Sequence, residues 1–378
     1  DTGAIILGKL NLSEFAGWVS LSMPPGYSSL GGQVLNPYDF AASPSGSSSG
    51  SGVAGTMAFA AGTVGTETSG SILSPSDANS AVGIKPTVGL LSRAGILPLS
   101  PTFDTPGPIT RNVTDAALML GVMAGIDEND PATAESEGQT PESNDYTEFL
   151  KTDALEGVRL GYSEEDLQEL SGDQREVFEA ALAELEEQGA TLVATDLLYY
   201  GKNVGLLEIA AIPNEFKTSL NQYLAEQTDD DLRVRTLSDI VAYNEKHPDR
   251  FPYGQNLLEI SDMTLGNENE PATIASRTSA IVASRAAIDG TLLANDLDAF
   301  VVVPGNSYAN VSAAARYPTV QVPAGYVLDG RRPLGLSFLG SAYDEPQLIS
   351  FAYDYEQATR HRIPATSVNK ELLRIGCS

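Results

Sequence analysis

Hydrophobic positions in the second half of the chain switch between strand-like runs and helical spacing. Val158–Tyr162 is a short apolar run that predicts a strand. The segment after it carries apolar residues at helical spacing, namely Val177, Ala181, Leu182 and Leu185. Asp173, followed three residues later by Glu176, predicts the start of that helix, and Gly189 predicts its end. With a second strand at Thr191–Val193, the strand–helix–strand order predicts α/β architecture.

The same patterns predict the other regular elements. Strands are expected at Ala299–Pro304, Tyr317–Ala324 and Leu334–Leu339, and helices at Thr114–Ala124, Ile281–Leu293 and Glu345–Thr359. Residues 201–275 are more polar and less regular, and we expect them to form a helical excursion over one face. The opening run Gly3–Gly8 predicts a buried strand. Because a globular chain seldom begins inside a buried strand, we expect further chain upstream of it.

The composition excludes several classes of function. The chain has 378 residues with 22 Lys and Arg against 50 Asp and Glu, which gives a formal net charge of −28. A nucleic-acid-binding protein needs a basic face, and an anionic membrane surface would repel so acidic a chain. No run approaches the roughly 18–20 apolar residues that span a bilayer. We therefore expect a partner that is neither nucleic acid nor membrane.

Cysteine and histidine are scarce, and this restricts the chemistry. Cys377 is the single cysteine, so an intramolecular disulfide is impossible and a cysteine metal site is disfavoured. The two histidines, His247 and His361, lie in polar, charged surroundings and are interpreted as surface residues. Any catalysis is therefore expected to use a base other than histidine.

A Gly/Ser-rich stretch at Ser43–Gly52 has three interpretations. It is typical of a flexible linker, but the small-residue helix predicted at Val53–Ala61 gives it a structured continuation. A phosphate-binding loop lacks the required Gly-Lys-Ser/Thr, and a dinucleotide fingerprint lacks its strand–Gly–helix unit. The second small-residue segment, Gly65–Ser71, favours a nucleophile site, because small residues let consecutive N–H groups converge on one point as an oxyanion hole requires.

Several motifs together make the chain resemble the amidase signature family, especially its bacterial peptide amidases and fungal amidases. The resemblance covers the whole chain. The motifs are G-S-S-S-G-S-G at Gly46–Gly52, G-T-E-T-S-G-S at Gly65–Ser71, V-G-I-K-P-T-V-G-L-L-S-R-A-G-I at Val82–Ile96, D-T-P-G-P-I-T-R-N-V at Asp104–Val113 and P-L-G-L-S-F-L-G at Pro333–Gly340.

The resemblance implies a fold, a reaction and a set of site residues. It implies one α/β domain over 1–378, with a mixed, twisted central sheet flanked by helices on both faces. Residues 1–125 would form the signature core and 201–275 a variable helical region on the substrate side. The reaction would be hydrolysis of a small-molecule or peptide carboxamide by a Ser–cisSer–Lys triad, with no metal and no cofactor.

The site residues follow from the family's motifs. Ser71 matches the nucleophile, and Ser47, on a cis peptide bond 24 residues earlier, matches the bridging serine. The backbone N–H groups of Thr68, Ser69, Gly70 and Ser71 match the oxyanion hole. At Ser69 many family members carry glycine, and we expect serine to be tolerated because only its N–H is used.

The chain departs from the family at the third triad residue. The family's lysine precedes the bridging serine by more residues than the 46 present here, and its motif is absent. Lys9 belongs to a different family segment, and Lys85 is interpreted as structural. The chain could be a fragment, one part of a split protein whose N-terminal piece carries the lysine, or a pseudoenzyme. We therefore expect low amidase activity from this chain alone.

Two other functions stay open at this point. A catalytically inactive binding or regulatory protein could retain the amide-recognition pocket. The amidase-like component of an aminoacyl-tRNA amidotransferase is disfavoured, since the strong acidity does not suit contact with RNA. The acidity and the Asn-x-Ser/Thr triplets at Asn11, Asn112 and Asn310 lean towards an extracellular setting without fixing the compartment.

Overall fold

The computed structural model describes residues 3–197, 204–227, 233–303, 307–328 and 330–373. Cys377 lies outside them. The strands in chain order are β1 Tyr27–Ser28, β2 Gly32–Gln33, β3 Thr63–Glu67, β4 Val82–Lys85, β5 Thr105–Thr110, β6 Arg159–Tyr162, β7 Thr191–Ala194, β8 Ala299–Val302, β9 Thr319–Val327 and β10 Arg332–Leu339. The α-helices are α1 Ser49–Thr56, α2 Leu73–Ala78, α3 Val113–Met123, α4 Glu164–Glu169, α5 Gly172–Glu187, α6 Val204–Ala225, α7 Leu237–Lys246, α8 Asn256–Asp262, α9 Pro271–Asn295, α10 Ser307–Ala315, α11 Glu345–Thr359 and α12 Ala365–Val368.

A mixed eight-stranded sheet forms the centre of the domain. Its strand order is β3-β5-β4-β9-β10-β8-β6-β7, and β1 and β2 form a separate hairpin. Every neighbouring pair from β3 to β8 is antiparallel, whereas β8–β6 and β6–β7 are parallel. The parallel part is the strand–helix–strand unit that the hydrophobic pattern predicts, since α5 connects β6 to β7.

Helices cover both faces of the sheet, as expected for the predicted α/β fold. Alternation along β8 shows this directly, because successive side chains of a strand point to opposite faces. Val301 packs in a core with residues of α3, α5 and α11, whereas Phe300 and Val302 pack in a second core with residues of α9 and α10. A third core lies between α6, α7, α8 and the segment around Val19.

The hydrophobic pattern predicts most element boundaries to within a few residues, but it misplaces one helix cap. The N-cap of α5 is Ser171 rather than Asp173, and the capping box pairs Ser171 with Gln174 rather than with Glu176. The N–H of Ser171 donates to Gln174 Oε1 at 3.2 Å, and Asp173 lies within the first turn of the helix. The helix predicted at Ile281–Leu293 is much longer, because α9 begins at Pro271.

The prediction of a buried strand at Gly3–Gly8 is wrong for the structure. These residues form no strand, and Ile5, Ile6 and Leu7 are 85%, 91% and 73% exposed. A strand needs a partner for its backbone, and no described segment pairs with this run. Apolar composition alone therefore does not bury it.

The region 201–275 contributes the described helices α6, α7 and α8 and the start of α9. Helix α6 packs along α9 and also contacts α10. Its residue Glu208 accepts a hydrogen bond from Ser69, so the N-terminal half of α6 lies beside the Gly65–Ser71 segment. Within the described residues, no helix is long and apolar enough to cross a membrane.

Candidate active site

The structure brings Ser47 and Ser71 together at one cavity of about 330 Å³. Both side chains are largely buried, with 4% and 8% of their surface exposed. The N–H of Ser48 donates a hydrogen bond to the carbonyl of Ser71 at 3.2 Å, which joins the two segments directly. The peptide bond between Gly46 and Ser47 is cis, as the resemblance implies. The rest of the cavity wall comes from residues 13–25, Ser45 and Leu257.

The Gly/Ser stretch is a packed segment rather than a linker. The carbonyl of Ser47 accepts a hydrogen bond from the N–H of Ser13 at 3.0 Å, and the N–H of Gly50 donates to the carbonyl of Asn11 at 2.9 Å. A Cβ atom at Gly50 would lie 2.2 Å from that carbonyl oxygen. Glycine is therefore needed at this position because two backbones approach more closely than any side chain allows.

The loop after β3 is held by the last residue of that strand. The carboxylate of Glu67 accepts hydrogen bonds from the N–H groups of Ile72 and Leu73 at 2.7 and 3.0 Å, and this folds the intervening residues back as a tight turn. Gly70 has a φ of 80°, a conformation that favours glycine. Ser69 does not have a positive φ, which agrees with the expectation that a non-glycine residue is tolerated there.

Asp104 fixes the beginning of the same loop. One carboxylate oxygen accepts from the hydroxyl of Thr68 at 2.5 Å, and the other accepts from the N–H groups of Leu99 and Ser100. Burial raises the pKa of Asp104 to about 6, and the hydrogen bonds oppose this rise. These contacts give Asp104 a turn-forming role and orient Thr68.

Lys85 lies fully buried behind the loop among carboxyl groups. Burial lowers its pKa to about 8, against the opposing charges of Glu67, Glu345 and Glu208. The Nζ atom donates to the carbonyl of Pro86 at 3.2 Å. This position agrees with the structural interpretation of Lys85, because its charge offsets that of Glu67, which holds the loop.

The three carboxyl groups around Lys85 differ in their hydrogen-bond donors. Glu67 receives two short N–H bonds, and Glu345 receives one from the N–H of Thr87 at 2.6 Å. Glu208 receives only the hydroxyl of Ser69 at 3.3 Å, and its Oε1 atom is buried without a partner among the described residues. Burial raises the pKa of all three carboxyl groups, and it raises that of Glu208 to about 8, so Glu208 is largely protonated at neutral pH.

Sequence reasoning missed Glu208. It comes from α6, in the region expected to vary, and contacts the loop after β3 through Ser69, whose hydroxyl also donates to Asn310 Oδ1 at 3.0 Å. A single acidic residue in the otherwise apolar run Val204–Ala211 was the available signal. An acidic residue on the buried face of a helix requires a polar neighbour, but the sequence does not say which.

Three large side chains near the N-terminus and the two histidines take different positions relative to the cavity. Met23 lines the Ser47–Ser71 cavity, whereas the Trp18 indole donates to Ser261 and Tyr27 packs edge-on against Tyr253. His247 stacks on Tyr243, and His361 pairs with Glu184. Neither histidine lines the cavity. Among the described residues, no cluster of His, Cys, Asp and Glu has the arrangement of a metal site.

The buried hydroxyl of Ser47 lacks a hydrogen-bond partner among the described residues. Its Oγ atom is buried, and no described group forms a hydrogen bond with it. A buried hydroxyl without a partner costs free energy, so native proteins nearly always satisfy such a group. Ser47 is nevertheless one of the residues that line the cavity.

Comparison with known proteins identifies the family. A family model described as "Amidase" matches residues 1–349. This chain belongs to the amidase signature family. A protein of Arabidopsis thaliana named as a probable amidase is 39% identical to this amidase chain over 373 residues, covering 96% of the chain and 70% of the relative. A glutamyl-tRNA(Gln) amidotransferase component from Halorhodospira halophila is 30% identical, with 95% and 75% covered.

Solved amidase structures share the fold. The native peptide amidase from Stenotrophomonas maltophilia matches with a TM-score of 0.89 at 40% identity, covering 96% of this chain and 75% of that one. A peptide amidase in complex with the competitive inhibitor chymostatin matches equally well, with a TM-score of 0.89 at 40% identity. The mixed sheet with helices on both faces is therefore the amidase signature fold.

Proposed function

We propose that this chain hydrolyses the C–N bond of a carboxamide through an acyl-enzyme on Ser71. The observation that carries the proposal is the convergence of Ser47 and Ser71 on one cavity, next to the turn held by Glu67. Two serines alone do not make a hydrolase. The turn adds consecutive N–H groups beside Ser71, and the family is one of amide hydrolases.

The proposed reaction has two stages. Ser71 Oγ attacks the carbonyl carbon and passes its proton towards Ser47, while the N–H groups of Thr68, Ser69, Gly70 and Ser71 stabilise the oxyanion. The C–N bond breaks as the leaving nitrogen takes up a proton, and ammonia or an amine departs. Water then attacks the ester on Ser71, releases the acid and restores the hydroxyl.

Ser47 needs a base, and we propose that a lysine absent from this chain supplies it, on a separate N-terminal fragment. Two observations support this. The Oγ atom of Ser47 is buried without a partner among the described groups, and the adjoining cavity of about 330 Å³ has room for an aliphatic side chain. A neutral amine at this point would accept the proton that Ser47 relays. Without it, the described residues alone are expected to turn over amides slowly.

The proposed substrate is a small-molecule or peptide carboxamide. The matching peptide amidase binds chymostatin as a competitive inhibitor, and its overall fold superimposes on this chain. In the present chain the cavity is bounded by Met23 and Leu257, which offer apolar contacts to a substrate side chain, while the serines lie at its polar end. No cofactor enters this scheme.

Small primary amines should rescue the missing base. We expect propylamine to raise the rate of p-nitroaniline release from a peptide p-nitroanilide, by on the order of 10-fold or more, because general-base catalysis typically contributes 10²–10⁴-fold. The rate should follow the concentration of the free-base amine as the pH is varied at constant total amine. A tertiary amine of the same pKa but greater bulk is the control.

Two serine variants test whether the amine acts through Ser47 and whether the activity depends on Ser71. Ser47→Ala should remove the response to amine, and Ser71→Ala should remove the activity itself. A response that persists in Ser47→Ala would contradict the proposed relay. Carboxamide binding without turnover, at any amine concentration, would instead favour the inactive binding protein, the alternative that the unpartnered hydroxyl of Ser47 also fits.

A further inference from the structure

We propose that a second cavity, which shares no lining residue with the Ser47–Ser71 cavity, is a binding site for a phosphate-type oxyanion. This cavity of about 210 Å³ lies where the end of β5, the start of α3 and the end of α11 meet. Three guanidinium groups and one imidazole line it, those of Arg111, Arg360, Arg362 and His361.

The concentration of positive charge in this cavity is unusual for the chain. The whole sequence has 22 Lys and Arg against 50 Asp and Glu, yet three arginines line a single small cavity. Like charges that face one cavity repel each other, and this repulsion is relieved when an anion enters. Guanidinium forks match the oxygens of phosphate in a bidentate manner, and three forks suit a tetrahedral oxyanion better than a flat carboxylate.

The arginines retain donors that no described group uses. One guanidinium nitrogen of Arg111 donates to the carbonyls of Gly55 and Ala60, and one of Arg362 donates to Thr56. The Nε atom of Arg362 is buried and has no hydrogen-bond partner among the described residues. A buried charged donor without an acceptor is costly. The bonds that Arg111 and Arg362 do make hold their side chains in place before any ligand arrives.

Arg360 is the residue best placed to respond to a ligand. It follows α11 with a left-handed φ of 49°, lines the cavity and is otherwise exposed. Its backbone N–H closes the helix by donating to the carbonyl of Glu356. Within the described residues, its guanidinium forms no hydrogen bond or ion pair, so its donors are available.

The acidic groups near the cavity are already engaged. Glu356 accepts from the N–H of Val113 at 2.9 Å and from the Gln357 amide at 3.2 Å, and burial raises its pKa to about 7. Glu184 binds His361 Nε2 from the other side of the ring. At neutral pH the three guanidinium groups therefore outweigh the one carboxyl that lines the cavity.

Titration calorimetry with inorganic phosphate at constant ionic strength tests the site. The wild-type chain should bind about one phosphate per molecule saturably, and its melting temperature should rise with phosphate at matched ionic strength. Arg360→Glu should weaken binding at least tenfold without a loss of secondary structure, since its guanidinium has no hydrogen bond or ion pair among the described residues to lose. Arg250→Glu, an exposed charge reversal outside the cavity, is the matched control and should leave the affinity within twofold.

Three results would overturn the proposal. These are the absence of saturable binding by the wild-type chain, equal weakening by Arg360→Glu and Arg250→Glu, and equal affinity for acetate and phosphate. The first excludes a site, the second reduces the effect to overall charge, and the third removes the preference for a tetrahedral oxyanion. None of these outcomes depends on amide hydrolysis, so the test is independent of the proposed function.

Discussion

Replacing Ser71 with alanine is expected to abolish amide hydrolysis. In the presence of a rescuing amine, the rate of carboxamide cleavage should fall to the uncatalysed background, by on the order of 10³-fold or more. The physical reason is that the proposed mechanism has no other group able to form the acyl intermediate at this cavity. The measurement is steady-state release of p-nitroaniline or ammonia by wild-type chain and variant.

Ser69→Ala is the matched control for this experiment. It removes a hydroxyl two residues away and keeps the backbone N–H that the oxyanion hole uses. We expect its rate to stay within several-fold of wild type, because the lost contacts are the bonds to Glu208 and Asn310. Equal losses in Ser71→Ala and Ser69→Ala would indicate damage to the loop rather than loss of a nucleophile.

Glu208→Gln is expected to change the pH dependence of stability. Burial raises the pKa of Glu208 from 4.5 to about 8, so between these values the folded state holds a proton that the unfolded state has lost. The free energy of unfolding of the wild-type chain should therefore fall as the pH rises from about 4.5 to about 8 and lose no more from this group above that. This one group should account for on the order of 5 kcal/mol.

The variant should remove that part of the slope. Glutamine has nearly the same shape and no titration, so Glu208→Gln should be more stable than wild type at pH 8, by an amount that disappears near pH 4.5. Denaturant unfolding at pH 5, 6, 7 and 8 measures the difference. Asp77, Asp104 and Glu356, with pKa values raised by burial to about 7, 6 and 7, add slopes of the same sign in both proteins.

A surface substitution provides the control for the stability experiment. Glu259 is exposed on α8, and Glu259→Gln should retain the wild-type slope. If Glu208→Gln and wild type show parallel stability curves between pH 5 and pH 8, then Glu208 is ionised in the folded state, and Lys85 rather than a proton must balance it.

The amino-acid pattern predicts the layers of this fold well. The run Ala299–Val302 and the strand–helix–strand unit around α5 follow from hydrophobic spacing that reflects burial on one or two faces. The pattern fails at Gly3–Gly8, where an apolar run has no backbone partner among the described residues. Local spacing records which side chains prefer burial, but pairing depends on a second segment that the pattern does not contain.

The residues of the candidate site also divide into those that the sequence predicts and those that it does not. Ser47 and Ser71 could be named as candidates through the family resemblance, because the motifs that carry it are contiguous in sequence, and small residues there meet a local need for close backbone approach. Glu208 could not, because it reaches Ser69 from a helix 139 positions away in sequence. The raised pKa of Glu208 results mainly from its burial, which only the folded chain reveals.

The proposed mechanism rests on acylation of Ser71, which mass spectrometry can detect at the level of a single residue. The chain would be mixed with a p-nitrophenyl ester of a short acyl peptide, quenched in acid and digested, and the peptide that contains Ser71 would be mapped. An activated ester is suitable because its leaving group departs without protonation. We predict the acyl mass on Ser71 in the wild-type chain and none at this position in Ser71→Ala. Acylation confined to another residue, or an unmodified Ser71 in a chain that hydrolyses the ester, would rule the mechanism out.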